Sequence, residues 1–165
     1  MAFDESALRK ELEFQLRGGN AHAKFDAVVE NFPVKLRGSV PEGLPYSGWQ
    51  LLEHLRIAQK DILEFCLNHN GSYKEMNWPN DYWPKSAEPP SAKAWDESIK
   101  SYHKDLEAFV KLVHDPKSDL LEPFPWGDGQ TLLREALVLV DHAGYHLGEI
   151  VAVRRILHAW PAAKK

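Results

Sequence analysis

Residues 131–158, with the sequence TLLREALVLVDHAGYHLGEIVAVRRILH, decide the fold class of this chain. Apolar residues recur here every three or four positions, which is the period of an α-helix, and no run of the chain alternates as a strand would. Two apolar stripes result. The first contains Leu133, Leu137, Val140, Gly144, Leu147 and Val151. The second contains Leu139, His142, His146, Ile150, Val153 and Leu157. A helix that is apolar over so much of its girth is expected to be buried against several neighbours.

Three further helical segments precede this one. The first runs from about Asp4 to Asn31, with a kink or a short break at the glycine pair 18–19. The second begins after Ser47, which has Gln50 at the capping-box spacing, and runs to about residue 69. The third begins near Ser91 and ends before Pro116. Its apolar stripe contains Trp95, Ile99, Tyr102, Leu106, Phe109 and Val113.

Long loops rich in proline connect these segments, at residues 33–46, 70–90 and 115–129. A helix of ~23 residues is ~35 Å long, and loop 70–90 is long enough to span that distance. The second and third helices can therefore run parallel. We expect an all-α fold, a four-helix bundle, in one domain covering residues 1–165. Trp78, Trp83 and Trp126 lie in the loops, where they either anchor the loops to the bundle, the reading we favour, or wall the mouth of a pocket.

The composition excludes several classes of protein. The formal net charge is −4, so no basic surface is expected to attract nucleic acid or an anionic membrane. The single cysteine, Cys66, excludes an internal disulfide and looks like a small core residue. The start of the chain is acidic where a secretion signal would be basic, and we expect no stretch to approach the ~20 apolar residues of a membrane span. We therefore expect a soluble, cytoplasmic protein.

Three histidines suggest a metal site. His142 and His146 are four residues apart, so they lie on the same face of the last helix. His54 lies on the inward stripe of the second helix. If the two helices pack together, three imidazole nitrogens can reach one ion and leave other coordination positions open, as in catalytic rather than structural sites. Imidazole favours zinc, nickel, iron or copper over magnesium and calcium.

The alternative is that these histidines are ordinary core residues held by hydrogen bonds, which is the commoner case for an isolated pair at this spacing. Gly144 and Gly148 favour the metal site, because they leave room for a backbone or a ligand beside the pair. Glu149 and Asp61 are candidates to accept hydrogen bonds from the ligating rings. The alternative, which we favour, is that both are solvated surface carboxylates. His22 either lines the site or has a surface or capping role.

Other catalytic patterns do not occur in the sequence. There is no His-Glu-x-x-His motif of zinc proteases and no Glu-x-x-His motif of di-iron bundles. Paired cysteines, a phosphate-binding glycine loop and a nucleophile elbow are also absent from it. No side chain stands out as a dedicated general base, so the catalytic residues beyond the metal ligands are not assigned.

Three stretches resemble the DinB-like (DinB/YfiT) superfamily of bacterial four-helix proteins. They are residues 18–22 (GGNAH), 44–59 (LPYSGWQLLEHLRIAQ) and 141–150 (DHAGYHLGEI), and the resemblance extends over essentially the whole chain. It implies an up-down-down-up bundle and a metal site made of a histidine triad, at the positions of His54, His142 and His146. It also implies a homodimer, since dimers are common among relatives. Characterised relatives include transferases and isomerases that use low-molecular-weight thiols.

Taken together, the residues and the resemblance predict an enzyme that depends on a divalent transition metal. The expected metal is zinc or nickel, and iron is a further candidate. Such a metal would activate a water or a low-molecular-weight thiol, as in a hydrolase or a thiol S-transferase, against a small-molecule substrate. The alternative is a non-catalytic metal- or ligand-binding bundle of the stress response. A third possibility is a bundle without metal, in which the three imidazoles lie apart or are satisfied individually.

Overall fold

The computed structural model describes residues 4–161, and this part of the chain is all-α, which confirms the predicted fold class. The five α-helices of this described part are α1 (Glu5–Leu16), α2 (Phe25–Val29), α3 (Gly48–Cys66), α4 (Ala94–His114) and α5 (Leu132–Ile156). A 3-10 turn, Val34–Leu36, lies between α2 and α3. Residues 4–161 contain no β-strand, and the loops around α4 are long, as predicted.

The first predicted segment is two helices rather than one. The backbone turns at Gly18 and Gly19, whose φ angles of +69° and +85° lie in the left-handed region that favours glycine. Helix α1 therefore ends at residue 16, and the chain resumes as the short helix α2, with Phe25 stacked on Tyr102 of α4 at 3.9 Å between ring centroids. The predicted break at the glycine pair is confirmed.

The start of α3 has the predicted capping box. The Ser47 hydroxyl accepts a hydrogen bond from the backbone N–H of Gln50, and the Gln50 side chain accepts one from the backbone N–H of Ser47. Ser47 is fully buried, and its hydroxyl also donates to the carbonyl of Ala87 at 2.6 Å. A Cβ at Gly48 would lie 2.4 Å from the Phe32 ring, so only glycine allows this close approach. These contacts fix the start of the helix that carries His54.

The core lies where the long helices meet. Helix α3 packs against α4 and α5, α1 packs against the same two helices, and α2 packs on α5. The predicted stripe of α4 faces this core: Trp95, Tyr102, Leu106, Phe109 and Val113 are buried, and Ile99 is half-buried. Cys66 is also completely buried, as predicted, and burial raises the pKa of its thiol.

Helix α5 departs from the prediction on one side. Its second stripe is buried at Leu139, His146, Ile150 and Val153, but the prediction that the helix is covered on several sides was wrong for Leu137, which is 53% exposed. Val138 and Tyr145 are exposed beside it. The repeat of apolar residues could not reveal this, because periodicity locates apolar faces but does not say which of them receives a neighbour.

By length and composition alone, α5 is apolar enough to cross a membrane. Its most apolar window has a mean hydropathy of 1.3, and a third of that window is buried inside the structure. The expectation that no stretch approaches a membrane span was therefore wrong for this helix. Core helices of globular proteins meet the same criterion, so the observation is weak evidence for a membrane.

Candidate metal centre

Helices α3 and α5 bring the three predicted histidines together. One ring nitrogen each from His54, His142 and His146 lies within 4.8 Å of the others, close enough to hold one metal ion. The Nε2 atoms of His54 and His142 are 3.0 Å apart. The rings meet because His142 and His146 lie on successive turns of α5, facing the buried stripe of α3. In residues 4–161 this is the only group of three potential metal ligands at such spacing.

The second nitrogen of His54 is already committed. Its Nδ1–H donates to the backbone carbonyl of Tyr82 at 3.0 Å, and a carbonyl can only accept. The neutral ring therefore presents a lone pair at Nε2, toward the other histidines. Trp83 stacks on the His54 ring with centroids 3.9 Å apart and planes 5° from parallel, which fixes the ring orientation. This is the arrangement that outer hydrogen bonds give to metal-ligating histidines.

Glu149 has the same function for His146. Its carboxylate accepts a hydrogen bond from His146 Nδ1–H at 2.6 Å, which leaves Nε2 as the lone-pair nitrogen. The structure thus places Glu149 next to a candidate ligand, and the favoured alternative of a solvated surface carboxylate was wrong for this residue. Asp61 does not contact an imidazole. It accepts hydrogen bonds from the hydroxyls of Tyr73 and Tyr82, so its only link to His54 runs through the Tyr82 residue.

The electrostatics favour neutral imidazoles. Burial, together with the smaller effect of the neighbouring His146 and His54, lowers the pKa of His142 to about 4. Burial likewise lowers the pKa of His146 to about 4, and it lowers the pKa of His54 against the opposing hydrogen bond to Tyr82. Neutral imidazole is the form that binds metal. Ligands at zinc–nitrogen distances of ~2.0–2.1 Å in a tetrahedron lie roughly 3.3 Å apart, so the donor set and its spacing fit such an ion.

One side of the centre is open. His142 is half-buried and lines a cavity of about 700 Å³ that extends along the exposed face of α5 past Leu137, Val138 and Tyr145. Most of the cavity wall is apolar, as is usual for small-molecule sites. A small molecule in this cavity would meet the histidine cluster at His142.

The three loop tryptophans divide between two places. Trp83 covers His54, and the 68%-exposed Trp78 lies 6.3 Å from the same ring, so these two wall the centre. Trp126 does not. Its indole N–H donates to the carbonyl of Phe65 at 2.9 Å, and the interpretation that it lines the same mouth was wrong. For Trp126 the favoured reading, a loop anchored to the bundle, fits.

His22 lies outside the cluster. It is exposed, its Nδ1–H donates to the carbonyl of the adjacent Ala23 at 3.0 Å, and its ring lies against Gly144. The missing side chain of Gly144 thus leaves room for the His22 ring rather than for a ligand. This contact lies on the side of α5 away from His142. Gly148 has no neighbour within 4 Å of a Cβ and lies on the exposed face. His103 and His114 pair with surface carboxylates.

The contribution of Tyr82 to the site was not assigned from the sequence, and Trp83 was considered only as a loop tryptophan that either anchors its loop or walls a pocket mouth. Their functions depend on how loop 70–90 folds over α3, and one of the two contacts uses a backbone carbonyl that every residue type carries. The concentration of aromatic residues in this loop was the only available signal.

We expect Glu149→Gln to weaken metal binding by roughly 10- to 100-fold, because outer hydrogen bonds orient the ligating ring and raise its basicity. Competition of the purified variant with a chromophoric chelator measures this affinity. Glu64→Gln, an exposed carboxylate on α3, is the control and should bind metal as the parent does. Equal affinities for all three proteins would contradict the orienting function of Glu149.

Compared with protein-family models, with curated proteins and with solved structures, the chain matches none of them. The resemblance to DinB-like proteins therefore stays a prediction carried by the residues quoted for it.

Proposed function

We propose that this chain is a metal-dependent enzyme in which His54, His142 and His146 hold one divalent transition metal. The proposed metal is zinc or nickel, with iron as a further candidate. The observation that carries the proposal is the convergence of three neutral ring nitrogens, two of them oriented by hydrogen bonds at the opposite ring nitrogen. A metal bound there supplies a Lewis acid that lowers the pKa of a water or of a low-molecular-weight thiol.

The surroundings favour catalysis over a purely structural site. Structural zinc sites have four protein ligands, whereas catalytic sites keep a position open. In the described part of the chain no cysteine or carboxylate joins the three histidines as a fourth ligand. The cavity beside His142 gives a small molecule access from solvent. The proposed reactions are hydrolysis and thiol S-transfer, with a small molecule as substrate.

The chain's own residues would orient and shield the reaction. Glu149 and the Tyr82 carbonyl hold two of the three rings in one tautomer, so their lone pairs point into the site. Trp83 covers the buried side of His54 and excludes water there. The apolar face of Leu137 and Tyr145 would contact the apolar part of a substrate.

We also propose the up-down-down-up bundle implied by the resemblance, and contacts between the long helices support it. Between α1 and α4, the Arg9 guanidinium donates to the carbonyl of Val113, whereas Arg17 pairs with Glu107. Residue numbers thus rise along α1 as they fall along α4, which is the pattern of an antiparallel pair.

Contacts of α3 give the other two directions. Ser98 donates to Glu53 and Gln59 donates to the carbonyl of Tyr102, so numbers rise together along α3 and α4, as in a parallel pair. On the other side, His54 meets His142, while Asp61 and Glu135 line one cavity, so α3 and α5 run antiparallel. Loop 70–90 then makes the long overhand connection.

The experiment that tests the function combines occupancy with turnover. Zinc- and nickel-loaded proteins are assayed against a panel of ester substrates and of electrophiles offered with low-molecular-weight thiols. We expect turnover that depends on the metal. Trp83→Ala should reduce this turnover more than Trp126→Ala does, because Trp83 covers His54 whereas Trp126 lies outside the centre.

A second measurement separates the enzyme from the non-catalytic binder. The visible spectrum of cobalt-substituted protein reports the coordination of the ion, and we expect a small thiol to change it if a position is open. Fully loaded protein with no turnover and an unchanged spectrum would contradict the enzyme and support the binding bundle.

A further inference from the structure

A second, smaller cavity lies beside the part of α3 that follows His54 and is strongly acidic. It has a volume of about 270 Å³, is partly open to solvent, and lies between α3, the start of α5 and the loops that follow α3 and α4. Its lining includes four carboxylic acids, from Asp61, Glu75, Asp128 and Glu135. No lysine or arginine is among the described residues that line it. The cavity therefore presents a concentrated negative charge to whatever enters it.

Glu135 makes no direct contact with a donor or a cation. The residue is 7% exposed, and within residues 4–161 its carboxylate takes part in no hydrogen bond or ion pair, although the positive charge of the adjacent Arg134 acts on it. Asp61, by contrast, accepts two hydrogen bonds, from Tyr73 at 3.0 Å and from Tyr82 at 2.6 Å. Burial raises the pKa of the Glu135 carboxyl, as expected for an ionisable group removed from water. A buried acid is normally paired, so its position at the cavity wall points to a cationic ligand.

Aromatic rings form much of the remaining wall. Phe65 meets Tyr73 edge-on, with centroids 5.5 Å apart, and the Trp126 indole is held by its hydrogen bond to the Phe65 carbonyl. A Cβ at Gly127 would come within 3.0 Å of the Phe65 ring and within 2.6 Å of the Gln130 side chain. The glycine therefore allows the loop backbone to approach Phe65 closely. Aromatic faces beside carboxylates attract organic cations.

The spacing of the acids argues against an inorganic ion. A metal needs several ligand atoms close together, and in residues 4–161 only the histidine cluster offers three such atoms within 4.8 Å of one another. The four carboxylates are instead spread over the cavity wall among aromatic rings. That spread suits a ligand with a charged head and an apolar body.

We propose that this cavity binds a small organic cation, a protonated primary amine or a guanidinium compound, with its charged group beside Glu135 and its apolar part against Phe65, Tyr73 and Trp126. The site is distinct from the histidine cluster and does not depend on the proposed enzymatic function. It is connected to that cluster, since Asp61 binds the Tyr82 hydroxyl and the Tyr82 carbonyl accepts from His54.

Benzylammonium and benzyl alcohol form a matched pair of probes, equal in shape and different in charge. Titration of each into the full-length protein is followed by the NMR signal of the Trp126 indole N–H, with and without zinc. We expect benzylammonium to shift this signal saturably in both forms, and benzyl alcohol to have at least ~10-fold lower affinity. Independence from zinc would separate this site from amine binding at the histidines.

Two variants test the contact with Glu135. Glu135→Gln keeps the shape and removes the charge, and we expect it to weaken benzylammonium binding by roughly 10- to 100-fold. Glu97→Gln, an exposed carboxylate on α4, is the control and should leave the affinity unchanged. If Glu135→Gln does not fold, as judged by circular dichroism, Glu75→Gln on the exposed rim replaces it, with an expected loss of at least ~3-fold.

Three results would overturn the proposal. They are equal binding of the alcohol and the ammonium, undiminished binding by the glutamine variants, and a shift of the Trp126 signal by calcium or manganese but not by benzylammonium. The last would indicate an inorganic cation site in place of the organic one.

Discussion

Replacing His146 with alanine is expected to abolish stoichiometric metal binding. The variant keeps two of the three clustered nitrogens, and it also leaves Glu149 without its hydrogen-bond donor. Affinity should fall by more than the ~100-fold that marks the upper range for loss of an outer contact alone. Competition with a chelator measures the affinity, and elemental analysis of dialysed protein measures the occupancy. Any metal-dependent turnover should be lost in parallel.

His103→Ala is the matched control, since this imidazole is half-buried at the surface of α4, away from the cluster, and pairs with Asp26. It should retain the metal content of the parent. Circular dichroism of the His146 variant would show whether the fold persists, because the side chain is mostly buried. A folded His146→Ala protein with full metal content would mean that the ligands were assigned wrongly.

Replacing Arg154 with methionine is expected to destabilise the fold more than other single changes on α5. The residue is 1% exposed, and its guanidinium donates to the backbone carbonyls of Val28, Glu30 and Ala159, with a longer bond of 3.4 Å to that of Ala27. Burial lowers the pKa of this arginine, and these acceptors offset the cost of burying its charge.

Without the guanidinium these carbonyls lose their donor at the packed junction of α2 and α5. We expect a loss of about 3–5 kcal/mol in the free energy of unfolding, a large share of the ~5–15 kcal/mol typical of a domain. At ~2–4 °C per kcal/mol, the melting temperature should fall by roughly 10 °C.

The neighbouring arginine supplies the control for this second change. Arg155 is exposed, and Arg155→Met should change the free energy of unfolding by no more than ~0.5 kcal/mol. Chemical denaturation followed by circular dichroism gives both values. Similar stabilities for the Arg154 and Arg155 variants would show that the buried guanidinium does not hold α2 to α5.

The helices and the histidine cluster were predictable because each depends on local spacing. The capping residues fixed where α3 begins, and the four-residue interval placed His142 and His146 on one face of α5. The convergence with His54 was predicted only on the condition that the two helices pack together, since the sequence places each histidine on an apolar stripe but does not pair the stripes. Glu149 could be considered from the sequence for the same reason, since it lies one helical turn after His146 on the same face.

Other features depend on tertiary contacts that periodicity does not encode. Asp61 lies on the same stripe as His54, but two helical turns separate them by ~10.5 Å along α3, too far for a hydrogen bond. It faces the second cavity instead. The exposure of Leu137 and the position of Trp126 likewise depend on which helices and loops pack against them. A repeat of apolar residues does not specify these packing partners.

The central claim is that three histidines from two helices share one cation, and metal stoichiometry tests it most directly. Protein purified without a histidine tag would be incubated with zinc or nickel, dialysed, and measured by elemental analysis alongside a His54→Ala, His142→Ala and His146→Ala triple variant. The account predicts about one metal ion per chain in the parent and almost none in the triple variant. Equal metal contents in the two proteins, or a parent that binds none, would contradict it.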